Sequence, residues 1–385
     1  MDSRLLWLAL GAFAGSVESS VIVSFLPDIA TETGSSVAQA GLMVFAYSLA
    51  YGFGTPLFST LFGRHHRRRV VVGAELVFGL GAILMALAPG LPMLIAARTL
   101  LAVGAGLFTS TAQAAAVGMA RPGERGRALA IVVMGGSVAV AFGSPLGALV
   151  GHLTSWRVTY FAIGVLAILA AITMLRRLPD TIVGDGRSLG ERLAVVKEPG
   201  VPMVLLSSLV GVMGLFVFMI YLAPIVTVAL GLDAGVMPLV LLMFGLGAIA
   251  GGYFGGRLCD RIGAGPTQLL VMGTGIIELA LTPLIAGLPQ GLVLPVFLVH
   301  VALFGVVTWA FFPPQLIRLA ALSPGSAVLV ASLNLTAMNL GGALAALVGG
   351  AVLERLGPMW LGPVAAAIAA ASLLLIWLGP KEPGR

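Results

Sequence analysis

Apolar residues run along this 385-residue chain in blocks of about 20, each closed by a short polar segment. A helix rising 1.5 Å per residue needs about 20 residues to cross the roughly 30 Å hydrocarbon layer of a bilayer. The pattern therefore predicts twelve membrane-crossing helices, over 5–26, 38–62, 70–88, 92–118, 127–150, 157–176, 201–229, 236–257, 267–287, 291–317, 326–352 and 358–378. Ten-residue segments of alternating polarity, the mark of an outer-membrane barrel, do not occur. Turn residues close the connections, as in Pro89-Gly90-Leu91-Pro92, Arg121-Pro122-Gly123 and Ser323-Pro324-Gly325. The first block is too long for the apolar core of a secretion signal and lacks a small-residue cleavage site, so it is read as a retained span.

Composition agrees. Of the residues, 59% are hydrophobic and 9% charged, whereas a soluble domain carries about 25% charged residues. Mean hydropathy is +1.08. The single Cys259 excludes an intramolecular disulfide. A net charge of +6 would suggest a nucleic-acid partner in a soluble protein, but its distribution has another explanation. Twelve spans place both termini on one side. If that side is cytoplasmic, 18 of the 21 Lys and Arg residues lie there, four of them between Arg64 and Arg69. Arg157 and Arg355 fall outside and Arg98 within a span. This asymmetry predicts an inner-membrane protein with cytoplasmic termini, whose basic loop meets anionic lipid head groups and needs no nucleic acid.

The long polar stretch from Arg176 to Pro199 falls near the middle of the chain. A shift of 197 residues lays Ser59-Thr60-Leu61-Phe62-Gly63-Arg64 on Gly256-Arg257-Leu258-Cys259-Asp260-Arg261, each at the same end of an even-numbered span. The expected organisation is a six-helix bundle over 1–176, a cytoplasmic linker over 177–200 and a second bundle over 201–385. Parallel repeats of this kind are an arrangement of secondary transporters, with a midplane site between the halves.

Charges inside the hydrocarbon cost about 2.5 to 3.5 kcal/mol each on insertion scales, so each needs a reason. Glu18, Glu75, Arg98, Glu278 and His300 are the candidates. Glu18 lies nine residues before Pro27 and Arg98 six after Pro92, a depth difference of about 5 Å that two long side chains can bridge. The pair either titrates during transport or fixes the packing of spans 1 and 4. Glu278 and His300 share a depth about ten residues from an outer loop and are candidates for a proton relay or for buried packing. Glu75 is expected to pair with Arg67 to Arg69. Uncharged cavity candidates are Tyr47 and Tyr51 on span 2, Thr109 and Gln113 on span 4, Met213, Phe216 and Tyr221 on span 7, Phe304 and Trp309 on span 10, and Asn334 and Asn339 on span 11.

Several segments resemble the major facilitator superfamily, specifically its bacterial drug:proton antiporter branch, which includes arabinose and sugar efflux permeases. Leu26-Pro27-Asp28-Ile29-Ala30 resembles a segment of that branch. Gly256 through Gly263 matches the family's G-x-L-x-D-R-x-G loop motif, with Asp260 and Arg261 in place. The first copy has Ser59 and Gly63 at the glycine and aspartate positions and keeps Arg64 and Arg68. Arg98 through Gly104 resembles the span 4 motif, with Leu101 and Ala102 replacing Gln-Gly. Gly135-Gly136-Ser137 leading to Gly143-Ser144-Pro145-Leu146-Gly147 resembles the antiporter signature of span 5. The resemblance implies an all-α fold of twelve transmembrane helices in two pseudo-symmetric bundles, with spans 1, 4, 7 and 10 lining a central cavity. It implies export of a small organic molecule in exchange for protons by a monomer. The alternative is an uncoupled facilitator or importer. With Gly63 at the aspartate position, an acidic partner for the first basic loop is sought at Glu75 or Glu124.

No cofactor is expected. Gly245 to Gly251 has the wrong spacing for a dinucleotide fingerprint and follows no strand. His65-His66 lacks neighbouring ligands for a metal. The scattered single charges offer no cluster of catalytic groups, so the chain is not read as an enzyme.

Overall fold

The computed structural model describes residues 3–62, 65–121, 123–180, 190 and 195–379. Gly63 and Arg64 of the basic loop, most of the linker 177–200 with Arg187 and Arg192, and Lys381 and Arg385 lie outside the described residues. Among the described residues, twelve helices long and apolar enough to span a bilayer follow one another. They are α1 Arg4–Thr33, α2 Val37–Leu61, α3 Arg67–Leu87, α4 Leu91–Met119, α5 Arg125–Leu153, α6 Trp156–Arg177, α7 Val201–Ile220, α8 Met237–Ile262, α9 Ala264–Ala286, α10 Gln290–Leu322, α11 Ala327–Arg355 and α12 Leu361–Leu378. Each matches one span expected from the hydrophobic pattern.

The ends differ where proline was taken as a stop. The first span was expected to finish at residue 26, but α1 continues through Pro27 to Thr33. A helix in an apolar setting keeps its remaining backbone bonds and tolerates the one that proline removes. It ends at Gly34, whose φ of 65° is left-handed and whose N–H returns to Thr31. Elsewhere proline leaves a local mark. Pro145 has no N–H for the carbonyl of Ala141, and the turn before it widens to a π-helix over Ala139–Gly143. The Ser144 hydroxyl donates to the Ala139 carbonyl at 3.2 Å there. Pro224 follows a break in the helix at Tyr221, and Pro313 and Pro314 follow one at Phe311 in α10.

Helices α1 to α6 pack among themselves, chiefly α3 on α4 and α6, and α1 on α5 and α6. Helices α7 to α12 do likewise, with α8 on α10, α7 on α11 and α12, and α9 on α12. The two groups meet along α2 with α11 and α5 with α8.

Twelve consecutive crossings bring residues 3 and 379 to one side, here termed the terminal face. At the opposite face the two groups close on one another. Ser36 caps α2, accepting from Gln39 N at 3.1 Å, and its hydroxyl donates to Glu354 of α11 at 2.7 Å. Tyr221 is fully buried, with its ring against Gly41 of α2 and Gly349 of α11, and it donates to the Ala346 carbonyl at 2.7 Å. The His152 ring lies against Gly235 in the loop after α7. Toward the terminal face, α4 and the second part of α10 form no packed interface.

Candidate functional site

The gap between the two groups is a cavity of 440 Å³ at mid-depth. Its wall on the α1 side carries few large side chains, because Gly11, Ala12, Gly15, Ser16 and Ser19 face it. Ser19, in the middle of a membrane-length helix, is exposed to this space. Of the expected cavity residues, Tyr47, Tyr51, Thr109, Gln113, Phe216, Trp309 and Asn339 line it. Tyr47 and Tyr51 stack with ring centroids 5.8 Å apart, as one helical turn on α2 allows.

Four expected cavity residues do not line this cavity. Tyr221 closes the opposite face instead. Phe304 is buried in the second group, 4.9 Å from Phe218 and 5.8 Å from Phe244 between ring centroids. Asn334 accepts from the Ser208 hydroxyl in a buried network with Gln315. Met213 packs against the core, its backbone beside Gly341. Helical spacing in an apolar run brings such residues to some neighbour without saying which.

Glu18 and Arg98 meet as their depths suggested. Arg98 Nη1 lies 2.8 Å from Glu18 Oε1, with the two residues 1% and 0% exposed. Tyr160 of α6 completes the cluster. Its hydroxyl accepts from Arg98 Nη1 at 2.8 Å and donates to Glu18 Oε1 at 3.1 Å. The guanidinium sits over the Tyr47 ring, 4.9 Å from its centroid, and Arg98 reaches the cavity wall whereas Glu18 lies behind it. Tyr160 was missed because a hydroxyl within an apolar span carries no charge signal; only its shared depth marks it. The antiporter-like segment supports the same helix. Gly143 lies against Val17 and Phe13, and Gly147 against Val21 and Thr159, so α5, with Pro145 in its bend, runs along the face of α1 next to Glu18. A side chain at Gly143 would strike both neighbours.

Glu278 and His300 also meet, but away from this cavity. Glu278 Oε1 lies 2.9 Å from His300 Nδ1, and His300 Nε2 is 3.2 Å from the Thr282 hydroxyl. Phe218 and Phe297 flank the imidazole.

The pairing expected for Glu75 is not found. Arg68 Nη2 pairs instead with Asp180 at 2.8 Å, and Arg69 Nη2 stands 3.9 Å from the same carboxylate. About two helical turns separate Glu75 from these arginines along α3, about 10 Å of rise. Its carboxyl lies on the cavity side, beside Gly11 and Phe108. Neither Glu75 nor Glu124 forms an ion pair among the described residues. Asp180, just past the end of α6, thus supplies the acid that the basic loop lacks at Gly63. Asp260 and Arg261 are exposed at the end of α8. No group of three or more metal-ligating side chains occurs among the described residues.

Comparison with known proteins gives a consistent result. The family model described as Major Facilitator Superfamily matches residues 8–328. The MFS-type transporter YbcL of Bacillus subtilis (strain 168) is 30% identical over 97% of this chain and 96% of its own. The inner membrane transport protein YdhP of Escherichia coli (strain K12) is 29% identical over 98% of this chain and 96% of its own. A chloramphenicol resistance protein of Streptomyces lividans is 29% identical over 96% of this chain and 95% of its own.

Proposed function

From the premise that the chain belongs to the Major Facilitator Superfamily and is a multi-pass inner-membrane transporter of small molecules, we propose that it exports a small organic compound in exchange for protons. The carrying observation is the buried Glu18, Arg98 and Tyr160 cluster beside a cavity between the two groups that is closed at one face. The excess of Lys and Arg at the terminal face supports that face being cytoplasmic. The structure is then inward-facing, and rocking of residues 1–176 against 201–385 about the α2–α11 and α5–α8 seams would expose the cavity to the other side.

Coupling follows from charge balance. With Glu18 ionised, the Arg98 charge is compensated at 2.8 Å. When Glu18 takes a proton, the guanidinium becomes an uncompensated cation at the cavity wall, under Tyr47. Proton loading therefore changes the electrostatics of the site the substrate occupies, and the substrate changes the affinity for the proton in return. The basic loop held by Asp180 is read as the latch that senses which face is open.

Chloramphenicol, taken from the name of one relative, is the first compound to test. In proteoliposomes with an imposed proton gradient, wild type should move chloramphenicol or another compound of a panel against its own gradient, and Glu18→Gln should not. A second reading, uncoupled facilitation, is favoured by the burial of Glu18 behind the wall; full proton-driven exchange by Glu18→Gln would rule out the coupling role assigned here.

A further inference from the structure

The face at which the two groups close holds a titratable side chain that the Glu18 cluster does not use. His152 is exposed in the last turn of α5. The other three histidines lie elsewhere, His65 and His66 before α3 at the terminal face and His300 buried in the second group. Although α5 belongs to the first group, the His152 ring reaches the second. Its Nε2 lies 2.9 Å from the place a Cβ on Gly235 would occupy, and Asp233 Oδ1 lies 2.8 Å from the same place. The absence of a side chain at Gly235 is what lets ring and carboxylate approach. Asp233 is exposed as well, and its Oδ1 accepts from Gly235 N at 2.7 Å, which fixes the carboxylate in the loop between α7 and α8.

The charges around the ring follow from the elements packed on this end of α5. Asp28 of α1 lies within electrostatic reach of His152 and of Glu32. Glu32 is already occupied by α6, through Arg157 at 2.7 Å and the Trp156 ring N–H at 2.8 Å. Asp28 forms no ion pair or side-chain hydrogen bond among the described residues. Helix α8 adds no charge here, since its first charged residue is Arg257, and Glu354 of α11 accepts from Ser36. Asp28 and Asp233 are therefore the carboxylates left to His152, one on each side of the seam. When the groups rock apart, Asp28 travels with the ring and Asp233 does not.

Histidine is the side chain whose charge ordinarily changes between about pH 5 and 8. A neutral ring leaves Asp28 and Asp233 as like charges across the closed face, which favours parting. A protonated ring offsets Asp28 and attracts Asp233, which favours closure.

We infer that His152 is a proton-operated clasp of this face, holding α5 to the α7–α8 loop through Asp233 when it carries a proton and releasing it when it does not. The inference goes beyond the exchange reading and takes from it only that the closed face is the outer one. Acid outside then favours re-closure of the outer face.

The test reads the opening of this face directly, in lipid nanodiscs at equal pH on both sides and without any transported compound. Spin labels are placed at Leu87→Cys of α3 and Gln290→Cys of α10, both exposed at this face, in a Cys259→Ser background. Double electron–electron resonance then gives the ratio of closed to open populations. Between about pH 8 and about pH 5.5, the ratio in wild type should rise by about two- to fivefold, the range of one exposed ion pair. His152→Gln should lose that rise, and whatever pH response remains there belongs to the buried acids and the other histidines. His152→Arg, a permanent cation, should hold the closed state at both pH values. Asp233→Asn keeps an oxygen for the Gly235 N–H and should abolish the rise as well. An unchanged ratio in wild type, the same rise in His152→Gln, or a His152→Arg that opens at high pH as wild type does would overturn the inference. No gradient or compound enters the measurement, so its failure leaves the exchange proposal standing, and a failure of exchange leaves this result intact.

Discussion

Replacing Arg98 by methionine keeps most of the side-chain length and removes the charge opposite Glu18. The attraction lost is large. Two unit charges 2.8 Å apart interact by roughly 6 kcal/mol at an effective dielectric of 20. Burying both groups costs a comparable amount, so the intact pair adds little net stability. Removing one partner, however, leaves a buried charge uncompensated, at a cost of about 3–5 kcal/mol. Tyr160 softens this only partly, since its hydroxyl loses one of its two partners at the same time. Glu18→Gln should be costly for the mirror reason, whereas the double variant Glu18→Gln/Arg98→Met leaves no stranded charge. Unfolding of purified protein in detergent, followed by tryptophan fluorescence, should show midpoints lowered by about 5–10 °C in Arg98→Met. The double variant should lie above Arg98→Met. Strict additivity of the two single effects would refute the coupled pair.

Tyr160→Phe keeps the ring in place and removes both hydrogen bonds, for an expected loss of about 2–4 kcal/mol measured in the same assay. Asp180→Asn frees Arg68 from a half-exposed ion pair; the expected effect is about 0.5–1 kcal/mol, read as a few-fold change in the ratio of the two open states by spectroscopic distances across the terminal face. Tyr221→Ala opens the closed face, so Val44→Cys, placed on the cavity wall in a Cys259→Ser background, should react several-fold faster with a thiol reagent applied from that side. His300→Ala should lower stability by about 1–3 kcal/mol and leave proton-driven exchange intact, since His300 contacts Glu278 and Thr282 away from the cavity.

The spans were legible because a bilayer imposes one length and one composition on every crossing helix, and loop arginines add a direction. Their ends were less so, since Pro27 interrupts one hydrogen bond without ending α1. The Glu18 and Arg98 pair could be read from depth alone, because a charge in hydrocarbon must find its opposite. Glu75 could not. Depth and sequence proximity pointed it toward Arg67 to Arg69, whereas helix rotation turns its carboxyl inward past α4, and a single sequence does not carry that rotation. Asp180 was hidden for a related reason: it pairs across more than a hundred residues from a stretch that reads as linker. Met213, Tyr221, Phe304 and Asn334 show the limit for uncharged residues, which lodge in whichever interface has room.

The most direct measurement of the exchange claim is proton release on substrate binding. Purified wild type in weakly buffered solution with a pH indicator, mixed with a transported compound, should release protons, and Glu18→Gln should release none. Proton release from Glu18→Gln equal to wild type, or none from wild type with a compound it transports, would contradict the account.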